Sequence, residues 1–333
     1  MQNEISEPLL SLYKNFLNTT CQLPQITDEG LKNSQTHGKD LFSVYHELLN
    51  FIPKEYDSNL ISFRVSTNPI TSQVAGVLIK GMYPGLRDIS VKMQHDVIDT
   101  LNSNYPCGGA DNLRKEIEND EAWKNHLNEK KELFQKLDNI TGIDPLNKEW
   151  HTWFDHYFDN LSFRFCHDLP YPCNKEACIS SEVALEVFDV GNWEYNYIYT
   201  KSNKSILYSV ARSLFLFEVF QNIQNKIMKL DSIKYRHNIA HDNTIASLLG
   251  ALQITNLKWP GLGSEIVFEL YRKENNPDMF FLRILYNGEP LQTSLKNINS
   301  WDMVPIDIFF QYIHTTFGTK GEILNYICNG IYH

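Results

Sequence analysis

The alternation of apolar and polar positions predicts a short strand at residues 235–240 that leads directly into an apolar helix. Tyr235–Ala240 is rich in β-forming residues, and Thr244–Leu252 has the apolar spacing of a buried helix. The other predicted strands are Leu60–Thr67, Glu265–Lys273 and Phe280–Tyr286. Helical periodicity is found in residues 1–20, 27–49, 70–82, 306–317 and 322–327, and Thr27 is placed to cap the second of these helices. Strands that alternate with helices indicate the α/β class.

The middle of the chain has a different composition. From about Ala110 to Leu161, Glu, Lys and Asn dominate, and Trp and Leu recur at helical spacing. Phe163–Cys178 has the composition of a loop, whereas Glu182–Val190 and Ile206–Leu230 are again helical. We therefore expect an α-helical cap, residues 106–230, inserted into a core of residues 1–105 and 231–333. The tryptophans of this cap are predicted to be core residues and not a sugar-binding platform: Trp123, Trp150, Trp153 and Trp193.

Composition and charge narrow the class of protein. A length of 333 residues, with 42% hydrophobic and 13% aromatic residues, is typical of one large globular domain or of one domain with a large insertion. The net charge of -10 and the lack of a basic patch argue against a nucleic-acid partner. No apolar run reaches the roughly eighteen residues of a membrane helix. We therefore expect no membrane span.

Signals of cellular location conflict. Residues 1–8 lack the basic and apolar regions of a signal peptide. Six cysteines, an even number, and four Asn-x-Ser/Thr sequons instead favour the secretory route. The sequons begin at Asn18, Asn139, Asn160 and Asn203. We predict a lysosomal or extracellular location.

The candidate catalytic residues lie where the predicted strand at 235–240 ends. His241 and Asp242 are adjacent and directly precede the helix. A helix N-terminus offers free N–H groups and a positive dipole end, which attract phosphate. The His can bind an anion, and the Asp can protonate a leaving oxygen. The alternative is that Asp242 only caps the helix.

Several segments, in the right order, resemble the histidine acid phosphatases, and within them the 2-phosphoxylose phosphatase group. Gln25–Gly30 resembles a Gln-Leu-Thr-x-x-Gly segment, and Arg64–Gln73 with Gly81-Met-Tyr-Pro resembles an Arg-Ser-Thr-Asp-x-Asp-Arg-Thr-Leu region. Ala240–Thr244 is similar to the family's Ala-His-Asp-x-Thr. Phe165–Cys178 resembles a cysteine-bearing connector, and Gly263–Leu270 and Arg283–Gly288 resemble the last strands. The resemblance implies a mixed sheet flanked by helices, with a helical cap inserted in the middle.

The resemblance implies two-step phosphoryl transfer, and part of its machinery is missing. A His in an Arg-His-Gly-x-Arg motif would attack phosphorus while arginines hold the equatorial oxygens. His241 would bind phosphate, and Asp242 would donate the proton. The chain contains no Arg-His-Gly-x-Arg motif, and Ile70 stands where a pocket Arg is expected. Arg64 matches the strand-end Arg and is a weaker candidate for substrate binding. His37, within Thr36-His-Gly-Lys, is predicted to be an ordinary helical His.

The cysteines allow two interpretations. Cys166, His167, Cys173 and Cys178 have the side chains of zinc ligands, but their spacing fits no familiar zinc pattern. The resemblance implies disulfides in this segment. We predict that the cysteines pair and that no metal or cofactor is bound.

Three functions remain possible. We favour a catalytically inactive pseudophosphatase with a binding or structural role. The alternative is an acid phosphatase whose N-terminal catalytic segment is missing from this chain, in which case a late start would account for the absent signal peptide but not for Ile70. The third is a module that uses His241 to bind a phosphorylated small molecule or sugar phosphate weakly. The protein partner, if any, is not identified by the sequence.

Overall fold

The structure, a computed structural model, describes residues 25–330. Within them the chain forms two compact units. The first unit comprises residues up to Leu101 together with Lys229–Ala240, and the second comprises Asn102–Met228 together with residues from His241 onward. The predicted helix at residues 1–20 lies outside the described residues. The predicted division into a core and a cap, at residues 105/106 and 230/231, stays a prediction.

The helices and strands are numbered here in chain order. The helices are α1 Asp28–Phe42, α2 Pro69–Met82, α3 Gly108–Asn119, α4 Glu121–Glu129, α5 Lys131–Thr141, α6 Lys148–His151, α7 Asp155–Cys166, α8 Ser181–Tyr199, α9 Asn203–Arg212, α10 Leu214–Ile227, α11 Asp242–Ala251, α12 Ile306–Phe317 and α13 Glu322–Asn329. A π-helical turn, Ser43–Leu48, continues α1. The strands are β1 Ile61–Val65, β2 Lys92–Met93, β3 Tyr235–Ile239, β4 Ile266–Lys273, β5 Asn276–Tyr286, β6 Glu289–Pro290 and β7 Val304–Pro305.

The first unit is built around a parallel sheet in the order β2-β1-β3. All five residues of β1 are buried, as expected of a central parallel strand that is covered on both faces. Phe63 and Val65 pack with Leu78 of α2 in one hydrophobic cluster. Two helix starts are capped by side chains: Thr27 Oγ1 accepts the Gly30 N–H at 3.0 Å, which confirms the predicted cap, and Asn68 caps α2.

Helices α1 and α2 approach each other closely because each has a glycine at the contact. A Cβ on Gly38 would lie 2.1 Å from the Leu78 carbonyl oxygen, and one on Gly81 would lie 2.1 Å from the Gln35 carbonyl oxygen. No side chain fits in that space. Gly38 in the Thr36-His37-Gly38-Lys39 segment therefore serves helix packing. His37 lies inside α1, as predicted.

The second unit contains the remaining helices and an antiparallel sheet. Strands β4 and β5 form a hairpin from Ile266↔Tyr286 to Lys273↔Asn276, so β5 begins four residues before its predicted start. The predicted turn at Asn287-Gly288 is confirmed, since both residues have positive φ, 50° and 83°. Strands β6 and β7 both pair with β5. The expected α/β class with mixed sheets and flanking helices is confirmed.

Several predicted helix boundaries in the second unit are wrong, and α8, predicted to end at Val190, continues to Tyr199. Ile206–Leu230 is not one helix, because Ser213 leaves the helical conformation and donates its hydroxyl to the Val210 carbonyl at 3.2 Å. A serine that bonds to nearby backbone competes with the helix in this way. The Phe163–Cys178 segment is not entirely loop, since α7 extends through Cys166.

Disulfides close two loops of the second unit. Cys107 is bonded to Cys328, 221 residues further on, and Cys173 is bonded to Cys178. Cys166 is exposed and has no disulfide partner among the described residues, while Cys21 lies outside them. None of the helices described between residues 25 and 330 has both the length and the hydrophobicity needed to cross a bilayer.

Candidate functional site

His241 and Asp242 lie at the start of α11, in the second unit. His241 has an extended backbone, with φ -126° and ψ 167°, and its carbonyl accepts the N–H groups of Thr244 and Ile245 at 3.1 and 3.2 Å. The expectation that Asp242 caps this helix is wrong, because His241 is the N-cap residue and Asp242 is the first helical residue. The Asp242 carboxylate instead bonds to the adjacent Asn243 N–H and to side chains outside the helix.

The Asp242 carboxylate is held by uncharged donors. The Tyr195 hydroxyl and the Trp259 indole N–H both donate to Oδ2, at 3.0 and 2.9 Å, and the Asn243 backbone N–H donates to Oδ1 at 2.8 Å. Burial, the neighbouring Tyr199 and the Asp242 carboxylate raise the pKa of Tyr195 well above its usual value. The Tyr195 hydroxyl therefore keeps its proton at physiological pH and remains a donor.

Aromatic rings from distant parts of the chain surround these donors. The Trp153 ring stacks on those of Tyr195 and Trp259, with centroid distances of 5.8 and 5.7 Å. Phe158 lies parallel to Trp259, at 4.0 Å between centroids. These rings fix the two donors, so the position of the Asp242 carboxylate is set by packing in the second unit.

The surroundings of Asp242 are acidic. The pKa of Asp159 is raised to about 6, by partial desolvation and then by the negative charges of Asp242 and Asp155. The pKa of Asp155 is also raised, mainly by burial, although His156 opposes the shift. Asp159 is exposed, so solvent screens part of this repulsion. The three carboxylates nevertheless make this region unfavourable for a doubly charged anion.

One cation of this region was missed by the sequence analysis. The Arg114 guanidinium lies 4.6 Å above the centre of the Trp153 ring, and its Nε donates to Glu118 Oε1 at 2.6 Å. The only sequence signal was an Arg–Glu pair four residues apart on a helix, which is common on helix surfaces. Nothing in the sequence indicated that Tyr195 and Trp259 contact Asp242, because no sequence pattern links them to it.

Arg64, the weaker candidate, is enclosed within the first unit. Its side chain is 8% exposed, and its Nη2 donates to Asp99, to Gln94 Oε1 at 2.6 Å and to Thr100 Oγ1 at 2.8 Å. Asp99 is fully buried. These contacts give Arg64 a structural role in its unit, and its predicted contact with substrate stays a prediction.

Ile70 occupies the second position of α2 in the first unit, where its N–H donates to the Asn68 side chain at 3.0 Å. It is half-buried. The residue that the resemblance places in a phosphate pocket is therefore an aliphatic side chain at a helix start. Its proximity to His241 stays a prediction.

Two of the four potential zinc ligands in the Phe163–Cys178 segment are joined in a disulfide. Cys173 and Cys178 are bonded to each other, so neither sulfur is a thiolate. Within residues 25–330, no group of three or more His, Cys, Asp or Glu side chains is placed to hold a metal ion.

Comparison with protein families gives a match over most of the chain. The family model of the histidine phosphatase superfamily (branch 2) matches residues 4–287. Among curated proteins, 2-phosphoxylose phosphatase 1 of Rattus norvegicus is 21% identical over 286 residues, which cover 84% of this chain and 57% of that protein. Counting factor 60 of Dictyostelium discoideum is 22% identical over 310 residues, 90% of this chain and 70% of that protein. The chain thus spans little more than half the length of the 2-phosphoxylose phosphatase.

Comparison with solved structures supports the same fold. A phytase from Citrobacter braakii superposes with a TM-score of 0.63, covering 94% of this chain and 93% of that one. The sequence identity is 12%. At this identity the likeness concerns the fold alone.

Proposed function

Because the chain belongs to the histidine phosphatase superfamily (branch 2), we propose that it retains the fold but not the chemistry of a phosphatase, and acts as a binding protein. The observation that carries this proposal is the loss of two independent parts of the machinery. The chain has no Arg-His-Gly-x-Arg motif, and Ile70 stands where a pocket arginine is expected. Without the nucleophile there is no phosphohistidine, and without the arginines the transition-state charge is not neutralised.

The site around Asp242 agrees with this proposal. Asp155 and Asp159 add negative charge near Asp242, while the nearby Arg114 is already paired with Glu118. A phosphate group therefore meets a helix start and His241, but also repulsion from carboxylates. We expect phosphate to bind with a dissociation constant of about 1 mM or weaker, which corresponds to ~4 kcal/mol.

The ligand class follows from the relatives. One relative is named a 2-phosphoxylose phosphatase, so a sugar phosphate is the first ligand to test. We place the protein in the secretory pathway, in a lysosomal or extracellular location, because the two disulfides among the described residues suit an oxidising compartment. A shift in gel mobility after endoglycosidase treatment of the expressed protein would support this location, and free thiols at Cys107 and Cys328 after native purification would contradict it.

Hydrolysis of an aryl phosphate at acidic pH tests the central proposal. The purified 333-residue chain should give no turnover above a buffer blank, and His241→Ala and Asp242→Asn should not differ from it. Turnover that disappears in both variants would overturn the proposal.

The second candidate is an acid phosphatase that works through a phosphohistidine and whose N-terminal catalytic segment is missing from this chain; turnover by a longer protein that adds an Arg-His-Gly-x-Arg motif, and not by the 333-residue chain, would favour it. The observation in its favour is that Ala240-His-Asp-Asn-Thr is intact and that Asp242 is held in a fixed position. Acid-labile phosphate on a histidine, trapped by rapid quenching and located by mass spectrometry, would identify the nucleophile.

A further inference from the structure

Several exposed apolar side chains of the second unit lie close together in sequence, where α7 ends. Trp193, predicted to be a core residue, is 39% exposed, but other aromatic rings pack on it. The segment Phe163–Cys178, which we call the connector, exposes three large apolar side chains: Phe163 is 42% exposed, Phe165 60% and Leu169 44%. Neighbouring apolar side chains that face water favour association between molecules unless something covers them.

A glycosylation sequon, Asn160-Leu-Ser162, lies beside these side chains on α7. Asn160 is exposed, and Phe163 and Arg164 follow it at the spacing of neighbours on one helix face. Arg164 Nε donates to Asn160 Oδ1 at 3.1 Å, and Arg164 Nη1 donates to the Pro170 carbonyl of the connector at 2.6 Å. A guanidinium only donates, so Oδ1 faces Arg164 and Nδ2, the atom that carries a glycan, faces away. Attachment at Nδ2 therefore keeps the bond to Arg164.

A second sequon, Asn139-Ile-Thr141, touches the other end of the connector. Asn139 is exposed near the end of α5, and its carbonyl accepts a hydrogen bond from Asn174 Nδ2 at 2.9 Å. Asn174 lies in the loop that the Cys173–Cys178 disulfide closes. Within residues 25–330 the side chain of Asn139 has no hydrogen-bond partner, so a glycan there breaks no contact.

We propose that Asn139 and Asn160 carry N-linked glycans that cover the connector. The glycan on Asn160 covers the surface at Phe163 and Leu169, and the glycan on Asn139 covers the disulfide loop. Glycans are bulky and solubilising, so they keep other protein surfaces away from the exposed apolar side chains. This inference rests on the proposed secretory location and not on the loss of catalysis.

The covalent step is an N-glycosyl transfer by a transferase of the secretory pathway. Asn Nδ2 attacks C1 of an oligosaccharide that is carried on a lipid diphosphate. The N–C bond forms as the bond from C1 to the diphosphate oxygen breaks, and a base of the transferase takes the amide proton. Transfer precedes folding, because the sequon hydroxyls of Thr141 and Ser162 donate to the carbonyls of Leu137 and Asp159 in the folded helices.

The third described sequon, at Asn203, provides an internal reference. Asn203 is exposed at the start of α9. The hydroxyl of the fully buried Ser205 donates to the Tyr197 carbonyl at 2.7 Å, and Lys204 pairs with Asp120. None of these partners belongs to the connector, so a glycan on Asn203 is not placed to cover it.

Peptide mapping of the protein purified from its own cells tests the two assignments. A peptide-N-glycosidase in heavy-oxygen water converts each glycosylated Asn to a heavy Asp, which mass spectrometry locates. We expect Asn139 and Asn160 to be marked in most molecules. If either is unmarked while Asn203 is marked, the inference is overturned and the secretory location stands. If no sequon is marked, both are overturned.

A matched pair of double variants tests what the glycans do. Thr141→Ala with Ser162→Ala removes both sequons but keeps the two Asn side chains and the bond to Arg164. Thr141→Ser with Ser162→Thr changes the same positions and keeps both sequons. The first pair should bind an apolar fluorescent dye several-fold more strongly and form larger species in light scattering. The second pair, and Asn203→Gln, should behave like the original protein.

Enzymatic removal of the glycans from the folded protein should give the same rise in dye binding. This measurement decides the matter even where the alanine pair does not fold. Dye binding that stays at the level of the original protein after native deglycosylation would overturn the proposed cover of the connector. A rise of equal size in Asn203→Gln would also overturn it, because the effect would then not belong to the connector.

Discussion

Arg64, the weaker candidate for substrate binding, and Asp242, the candidate proton donor, have different environments. Arg64 is buried in the first unit, where its positive charge is matched by the fully buried carboxylate of Asp99. Asp242 is held in the second unit by the neutral donors Tyr195 and Trp259. Arg64 therefore stabilises the first unit through its ion pair with Asp99. The Asp242 carboxylate is instead positioned by neighbours that carry no opposite charge.

The largest expected effect is on the Arg64–Asp99 pair. Arg64→Met should lower the free energy of unfolding by about 3–5 kcal/mol, because it leaves Asp99 buried without its counter-ion. Urea denaturation of the two proteins measures the difference.

A matched control is available in the same unit. Arg236 pairs with Asp231 at the surface, and Arg236→Met should cost about 1 kcal/mol or less. Equal losses in the two variants would contradict the view that Arg64 is a structural residue.

A smaller effect is expected when the Asp242 charge is removed. An Asn side chain keeps an oxygen for Tyr195 and Trp259 but directs its NH2 group at the Asn243 N–H. Asp242→Asn should therefore lower the free energy of unfolding by about 1–3 kcal/mol, and Tyr195→Phe by about 0.5–1.5 kcal/mol. Thermal unfolding at constant pH compares them. Stabilisation of the protein by Asp242→Asn would mean that repulsion among the carboxylates outweighs the hydrogen bonds.

The smallest effect concerns Asp159. Its pKa in the folded protein is raised to about 6, so its protonation favours the folded state. The contribution is complete below the carboxyl pKa of the unfolded chain, about 4, and is lost as the pH rises through 6. Because Asp159 is exposed, we expect about 1 kcal/mol or less. Asp159→Asn should flatten the stability profile between pH 4 and 7, with Asp278→Asn, an exposed aspartate of β5, as control.

The same carboxylate should govern anion binding. Sulfate keeps its charge over this range, so its affinity for the protein should rise as Asp159 is protonated between pH 7 and 5. Asp159→Asn should remove most of this dependence. An unchanged pH profile in the variant would assign the effect to another group.

The sequence predicted local structure well where the signal was local. The strand at 235–239 and the helix after it follow from β-forming residues and from apolar spacing, and the Asn287-Gly288 turn follows from backbone preference. The prediction that Asp242 caps its helix was wrong because the contacts that decide the position of its side chain are distant in sequence. The Asp242 carboxylate bonds to the adjacent Asn243 N–H, but its side-chain partners, Tyr195 and Trp259, lie 47 positions before it and 17 after it.

The break at Ser213 and the exposure of Trp193 were missed for the same reason. A helical pattern runs through Ser213 without interruption, yet the backbone of Ser213 leaves the helical conformation, and both its N–H and its hydroxyl donate to the Val210 carbonyl. A tryptophan at helical spacing is expected in a core. Trp193 of α8 is instead partly exposed, and its ring packs on His126, which bonds to the buried Glu194.

The bond between Cys107 and Cys328 makes the chain between them a covalent ring. A protease that cuts once anywhere from residue 108 to residue 327 therefore opens the ring without separating the fragments. A nicked molecule would migrate as one species on a non-reducing gel and as two after reduction. Exposed segments such as the loop before α8 could thus be cleaved while the second unit stays one connected molecule.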